Sequence, residues 1–81
     1  MAQEPVTVYG TSWCPACRMA RRFLDEQQVD YRWIDVDEDP NGEAYVIELN
    51  QGNRSVPTIR FPDGTLLVEP SRSELVLKLG L

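Results

Sequence analysis

Cys14 and Cys17 are the two cysteines of an 81-residue chain, in the stretch Trp13-Cys14-Pro15-Ala16-Cys17. A thiolate is the attacking group of disulfide exchange, and two thiols at this spacing can close on each other if they share a helical turn. The chain contains no histidine. Ser-His-Asp catalysis, Cys-His catalysis and His-ligated metal chemistry are therefore excluded. Three other readings of the pair compete with exchange chemistry. A structural disulfide over so short a loop would remove little chain entropy. A zinc site would need further Cys or His ligands that the chain lacks, so only a metal shared between chains would serve. Two inert buried thiols would account for Cys17, but not for Cys14 beside a proline at a helix start.

The elements around the pair assign its members different surroundings. Pro5-Val6-Thr7-Val8-Tyr9 has the alternation and β-branching of a strand and ends at Gly10. From Pro15 to about Gln28, Ala16, Met19, Ala20, Phe23 and Leu24 recur at helical spacing, with Arg18, Arg21, Arg22 and Asp25 on the solvated side. Pro15 suits a first helical turn, where its missing N–H costs nothing. Cys14 then lies at the helix N-terminus, where free N–H groups and the positive end of the dipole favour an anion. Cys17 lies one turn deeper, beside Ala20 and Leu24. We expect Cys14 to be the exposed nucleophile and Cys17 the shielded resolving thiol. Pro15 and Ala16 would tune the redox balance, and Trp13 would either cover one side of the sulfur or pack on a neighbouring loop.

A second strand is expected over Tyr31–Val36, then a turn at Asp37–Gly42 with Asp39 as N-cap ahead of Pro40. A helix follows with Ala44 and Ile47 facing the core, joined by Val46 and Leu49, until Asn50-Gln51-Gly52-Asn53. Thr58–Phe61 and Thr65–Val68 flank Pro62-Asp63-Gly64, a hairpin signal. Ser71-Arg72-Ser73-Glu74 forms a capping box ahead of Leu75, Val76 and Leu79. The order β-α-β-α-β-β-α, without repeat or linker, predicts one α/β domain over residues 1–81.

Composition narrows the partners. The formal charge is −5, from 8 basic and 13 acidic residues, which disfavours a nucleic-acid backbone as ligand. The apolar fraction of 42% argues for a packed core, and no apolar run approaches the length of a membrane span. Met1–Pro5 has no basic stretch followed by an apolar one, so a cytoplasmic location is expected. Asp35-Val36-Asp37-Glu38-Asp39 begins like a calcium loop, but Pro40 replaces the required Gly and Val46 the required Glu, leaving a solvated acidic turn. Asn53-Arg54-Ser55 is a glycosylation sequon in form only.

With the strand, the Cys14–Cys17 motif, the helix and Ser55-Val56-Pro57-Thr58 some forty residues on, the chain resembles the glutaredoxin family of the thioredoxin fold. Asn53–Thr58, Phe61-Pro62-Asp63-Gly64 and Pro70-Ser71 most resemble its mycoredoxin branch. The resemblance implies a four-stranded mixed sheet flanked by helices and a cis bond before Pro57. It also implies that the backbone of Val56 pairs with a bound thiol peptide. Two departures bear on the thiol. Ala16 stands where glutathione-using relatives carry an aromatic residue, and Val68-Glu69-Pro70-Ser71 replaces their Gly-Gly pair and polar anion-holding motif. The resemblance thus implies a cytosolic oxidoreductase acting on mixed disulfides between proteins and a small thiol of mycothiol type. Ser71 would cap the last helix and offer N–H groups to that thiol. The protein would be a monomer and need no metal or organic cofactor, the small thiol being a co-substrate. Two alternatives are a dithiol donor to protein disulfides such as that of ribonucleotide reductase, reduced by a flavin disulfide reductase, and an iron–sulfur or zinc carrier sharing metal across a dimer. For Arg18 and Arg22 a solvated face is the simpler reading, and a raised potential near Cys14 the sharper one.

Overall fold

The computed structural model describes residues 5–81. Met1–Glu4, most of the stretch read for a leader, lie outside the described residues. In chain order the elements are β1 (Val6–Gly10), α1 (Pro15–Glu26), β2 (Tyr31–Asp35), α2 (Pro40–Leu49), β3 (Thr58–Arg60), β4 (Leu66–Val68) and α3 (Arg72–Leu79). The four strands form one mixed sheet in the order β2-β1-β3-β4. β1 runs parallel to β2 and antiparallel to β3, and β4 closes the hairpin with β3. This is the predicted thioredoxin-type architecture.

Local chemistry accounts for the boundaries. α1 opens on Cys14 as N-cap with Pro15 behind it, and α2 opens on Asp39, whose carboxylate accepts the Asn41 and Gly42 N–H groups at 3.0 Å. At α3 the capping box is complete: the Glu74 N–H donates to Ser71 Oγ (3.2 Å) and the Ser71 N–H donates to Glu74 Oε1 (3.1 Å). Gly64 takes a positive φ of 88° in the β3–β4 turn, where a side chain would be strained.

Val8, Ala20, Phe23, Leu24, Ile59 and Leu75 form the main core, which packs α1 and α3 on one sheet face. Tyr9, Val36 and Val46 form a second cluster beneath α2. The buried stripe of α1 is Cys17, Ala20, Phe23 and Leu24, narrower than the sequence pattern suggested. Ala16 and Met19 are exposed. Ala16 sits about 100° round the helix from Cys17, which lies against Gly10 at the end of β1, and so faces out. Met19 sits about 100° round the helix from Ala20 and faces out. Arg21 is half-buried rather than solvated, because Trp33 of β2 offers its ring 4.1 Å from the guanidinium carbon. In α2 the expected core position Val46 is buried, but Ala44 is exposed and Gly42, which the pattern did not mark, is buried as well. A Cβ at Gly42 would fall 2.7 Å from Ile34 Cγ2, so the helix approaches the sheet closely along the Gly42–Val46 line. That line turns Ala44 outward.

Candidate active site

The register gathers the predicted residues at one end of the sheet. Tyr9 of β1 is opposite Thr58 of β3, so the loop leaving β1 toward Cys14 emerges beside Val56-Pro57 entering β3. Thr58 also pairs with Val68, and the Glu69 N–H donates to the Pro57 carbonyl at 2.8 Å. Val68-Glu69-Pro70-Ser71 therefore reaches the same end. The Val56–Pro57 bond is cis, and Pro57 is buried while Val56 is half-buried. Asn50 and Thr58 steady this loop. The Thr58 hydroxyl donates to the Ser55 carbonyl (2.7 Å), and Asn50 Nδ2 donates to the Val46 carbonyl (2.9 Å) and to Thr58 Oγ1 (3.1 Å).

Both cysteines are thiols, and both are more enclosed than the sequence suggested. Cys14 is only 8% exposed and Cys17 is 0% exposed. The expected exposed nucleophile is thus a nearly covered one. As an N-cap side chain, Cys14 folds back over the first turn and its sulfur accepts the Cys17 N–H at 3.4 Å, so it lies along the helix instead of projecting from it. The asymmetry of the pair persists in the titration of Cys17. Burial pushes its thiol up to about 12, and a hydrogen bond with Cys14 adds to this, while Thr11 groups beside it pull the other way. At neutral pH Cys17 is therefore a proton-bearing thiol held against Cys14.

Gly10 and Thr11 frame the pair, and neither stood out in the sequence. A Cβ on Gly10 would fall 2.7 Å from Cys17 Sγ and 2.9 Å from the Trp33 ring. Only glycine lets the sulfur and the indole both approach the end of β1 this closely. Thr11 is completely buried beside Cys17.

Trp13 packs toward a loop rather than over the sulfur. It is 63% exposed, and its indole N–H donates to Asp37 Oδ2 at 2.8 Å. Arg54 grips the other oxygen of Asp37 and donates through Nε to Glu43 Oε2 at 2.7 Å. The Arg54 guanidinium and the Trp13 indole together hold the Asp37 carboxyl below the usual carboxylate range. One carboxylate thus ties the Cys14 loop to the segment leading into Pro57. The acidic turn is not merely solvated: Asp37 clamps and Asp39 caps. Distance in sequence hid this, since Trp13, Asp37 and Arg54 belong to three separate loops.

A strand-to-helix turn carrying two unequal thiols, beside a buried cis-proline loop, is a site built for sulfur chemistry. The glutaredoxin family model matches residues 6–67. The chain belongs to the glutaredoxin family. It is 45% identical to Mycoredoxin 1 of Corynebacterium glutamicum over 74 residues, 91% of each chain. It is also 36% identical to the glutaredoxin-like protein NrdH of Lactococcus lactis over 58 residues, covering 72% of this chain and 78% of that one. Among solved structures it matches the glutaredoxin of Methanosarcina mazei with a TM-score of 0.78 and 27% identity, over 100% of this chain and 85% of that one. This glutaredoxin is a thiol–disulfide oxidoreductase, and proteins of the family act on thiols and mixed disulfides. Among the described residues no helix is long and apolar enough to cross a membrane.

Proposed function

We propose that this glutaredoxin reduces mixed disulfides between proteins and a small thiol, preferring a thiol of mycothiol type to glutathione. The observation that carries the reading is the inequality of the two thiols at the start of α1. Cys14 meets solvent through a small opening at the helix N-terminus, and Cys17 is sealed and protonated. The thiolate of Cys14 attacks the small-thiol sulfur of the mixed disulfide. That S–S bond breaks, a Cys14–small-thiol disulfide forms, and the protein leaves as a thiolate that takes a proton from water. A second small thiol, as thiolate, then attacks the same sulfur of its like. Cys14 is released as thiolate, and the two small thiols leave joined as a disulfide. Backbone groups of Val56, held by Pro57, would align the client, Pro15 would flank the sulfur while Trp13 borders the site from its hydrogen bond to Asp37, and the first turn of α3 behind the Ser71 cap would offer N–H groups. The likeness to Mycoredoxin 1 supports the choice of thiol, as do Ala16 and the exposed Glu69, which would repel a carboxylate.

The reaction needs no metal or organic cofactor, and the protein would work as a cytoplasmic monomer. Mixed disulfides of one protein with mycothiol, glutathione and bacillithiol, offered in turn, test the specificity. Mycothiol is expected to give the highest rate, and a faster reaction with glutathione would overturn the assignment.

The similarity to NrdH supports a second route, in which Cys17 attacks Cys14 and the resulting disulfide is reduced elsewhere, for example by a flavin disulfide reductase. The high pKa of Cys17 makes this step slow at neutral pH. Its rate follows the thiolate fraction, which grows about tenfold per pH unit below the pKa. Stopped-flow release of the small thiol from a Cys14 mixed disulfide should therefore accelerate roughly a hundredfold from pH 7 to pH 9. Cys17→Ser should abolish that release yet keep the small-thiol-dependent turnover. Loss of that turnover in Cys17→Ser would make the dithiol route the principal one.

A further inference from the structure

Pro15, Arg18, Met19 and Arg22 follow one another at positions i, i+3, i+4 and i+7 of α1 and line a shallow cleft of about 430 Å³. All four are exposed, and the cleft begins at the residue next to Cys14. Its charge runs against that of the whole molecule. Three of the eight basic residues fall within Arg18–Arg22, in a chain of net charge −5. Local helix stability does not ask for them there. α2 and α3 place Glu43 and Glu74 in their first turns, as the helix dipole favours, whereas α1 has no acidic residue in its first turn. Arg54 and Lys78 are engaged in ion pairs, but among the described residues Arg18 and Arg22 form none. Two free guanidinium groups thus flank the exposed Met19 beside the helix end that holds the reactive sulfur. The loop that holds Trp13 does not offset these charges, since its Asp37 is paired with Arg54.

We propose that this face of α1 is a docking surface for acidic polypeptide next to the client's disulfide. The inference rests on the reading of Cys14 as the attacking thiol. Guanidinium groups suit carboxylates in paired geometry, and Met19 and Pro15 give the client's apolar atoms a surface that adapts to shape.

The test uses the full-length protein and short peptides joined through one cysteine to the same small thiol. Two carry a pair of glutamates, either before or after the cysteine, and two carry lysines at those positions. A glutamine peptide serves as reference. One glutamate peptide is expected to exceed its lysine counterpart in kcat/KM by about three- to tenfold at low salt, the range that two exposed ion pairs supply. In Arg18→Ala/Arg22→Ala that ratio should fall to one or below. Arg32→Ala removes a charge from β2, beside Thr7 rather than beside the Cys14 loop, and should leave the ratio in place. An unchanged ratio in the double variant, or an equal fall in Arg32→Ala, would overturn the docking surface. So would a change in the double variant confined to the reduction of a free small-thiol disulfide, which would show that the arginines read the small thiol instead. Failure of the wild-type protein on every peptide, glutamine included, would count against the role of Cys14.

Discussion

Cys14→Ser is expected to lower disulfide exchange to the uncatalysed rate while leaving the fold intact. The two halves of this result have separate causes. A hydroxyl at this position remains protonated near neutral pH and presents no thiolate, so the attacking group is lost outright. Serine is nevertheless a favoured N-cap, and its oxygen can accept the Cys17 N–H that the sulfur accepts now. Far-ultraviolet circular dichroism and the melting temperature should match those of the parent protein, with turnover of any mixed disulfide absent. Residual turnover above a few per cent of the parent rate would mean that Cys17 attacks substrate directly. Complete burial and a pKa of about 12 argue against that for Cys17.

Leu24→Ala should produce the largest loss of stability. Leu24 is completely buried where α1 meets the sheet, in the cluster with Val8, Phe23 and Ile59. Truncating such a leucine costs about 3 kcal/mol, from the lost transfer term and the cavity left behind. A chain of 81 residues has a total stability of roughly 4–12 kcal/mol, so this one change removes a large share. The melting temperature should fall by roughly 12–24 °C, read by calorimetry or circular dichroism. Met19→Ala is the matched comparison on the same helix. Met19 is 37% exposed, and its truncation should shift stability by no more than about 0.5 kcal/mol. If the two variants lost equal stability, the assignment of α1's buried face would be wrong. Seven positions separate Cys17 from Leu24, which places them on the same face, so the stripe that anchors the helix also seals the Cys17 thiol.

The order of elements and the caps of all three helices could be read along the chain because they depend on neighbours in sequence. Pro15 and Pro40 behind their caps, Ser71 with Glu74, and Gly64 in its turn act over a few residues. Their meaning does not wait for the rest of the fold. The placement of Cys14 at a helix start belongs with them, but the exposure expected for its sulfur does not, since Cys14 is only 8% exposed.

Burial was less legible, because it depends on what lies opposite. Ala44 and Met19 carry apolar side chains at helical spacing, yet both face solvent. Gly42 carries no apolar signal and is buried, since α2 approaches Ile34 too closely for a side chain. Arg21 reads as solvated until Trp33 of β2 is brought beneath it.

The sequence by itself determined the chemistry: two thiols three positions apart, no imidazole, and a helix dipole at the first sulfur. Tertiary structure decided how that chemistry is enclosed. It covered Cys14 almost as fully as Cys17, brought Gly10 and Thr11 against Cys17, and joined Trp13 to Arg54 through Asp37. The physical reason is range. Caps, turns and helix dipoles act within a few residues, whereas desolvation and charge pairing depend on whichever groups the sheet register makes neighbours.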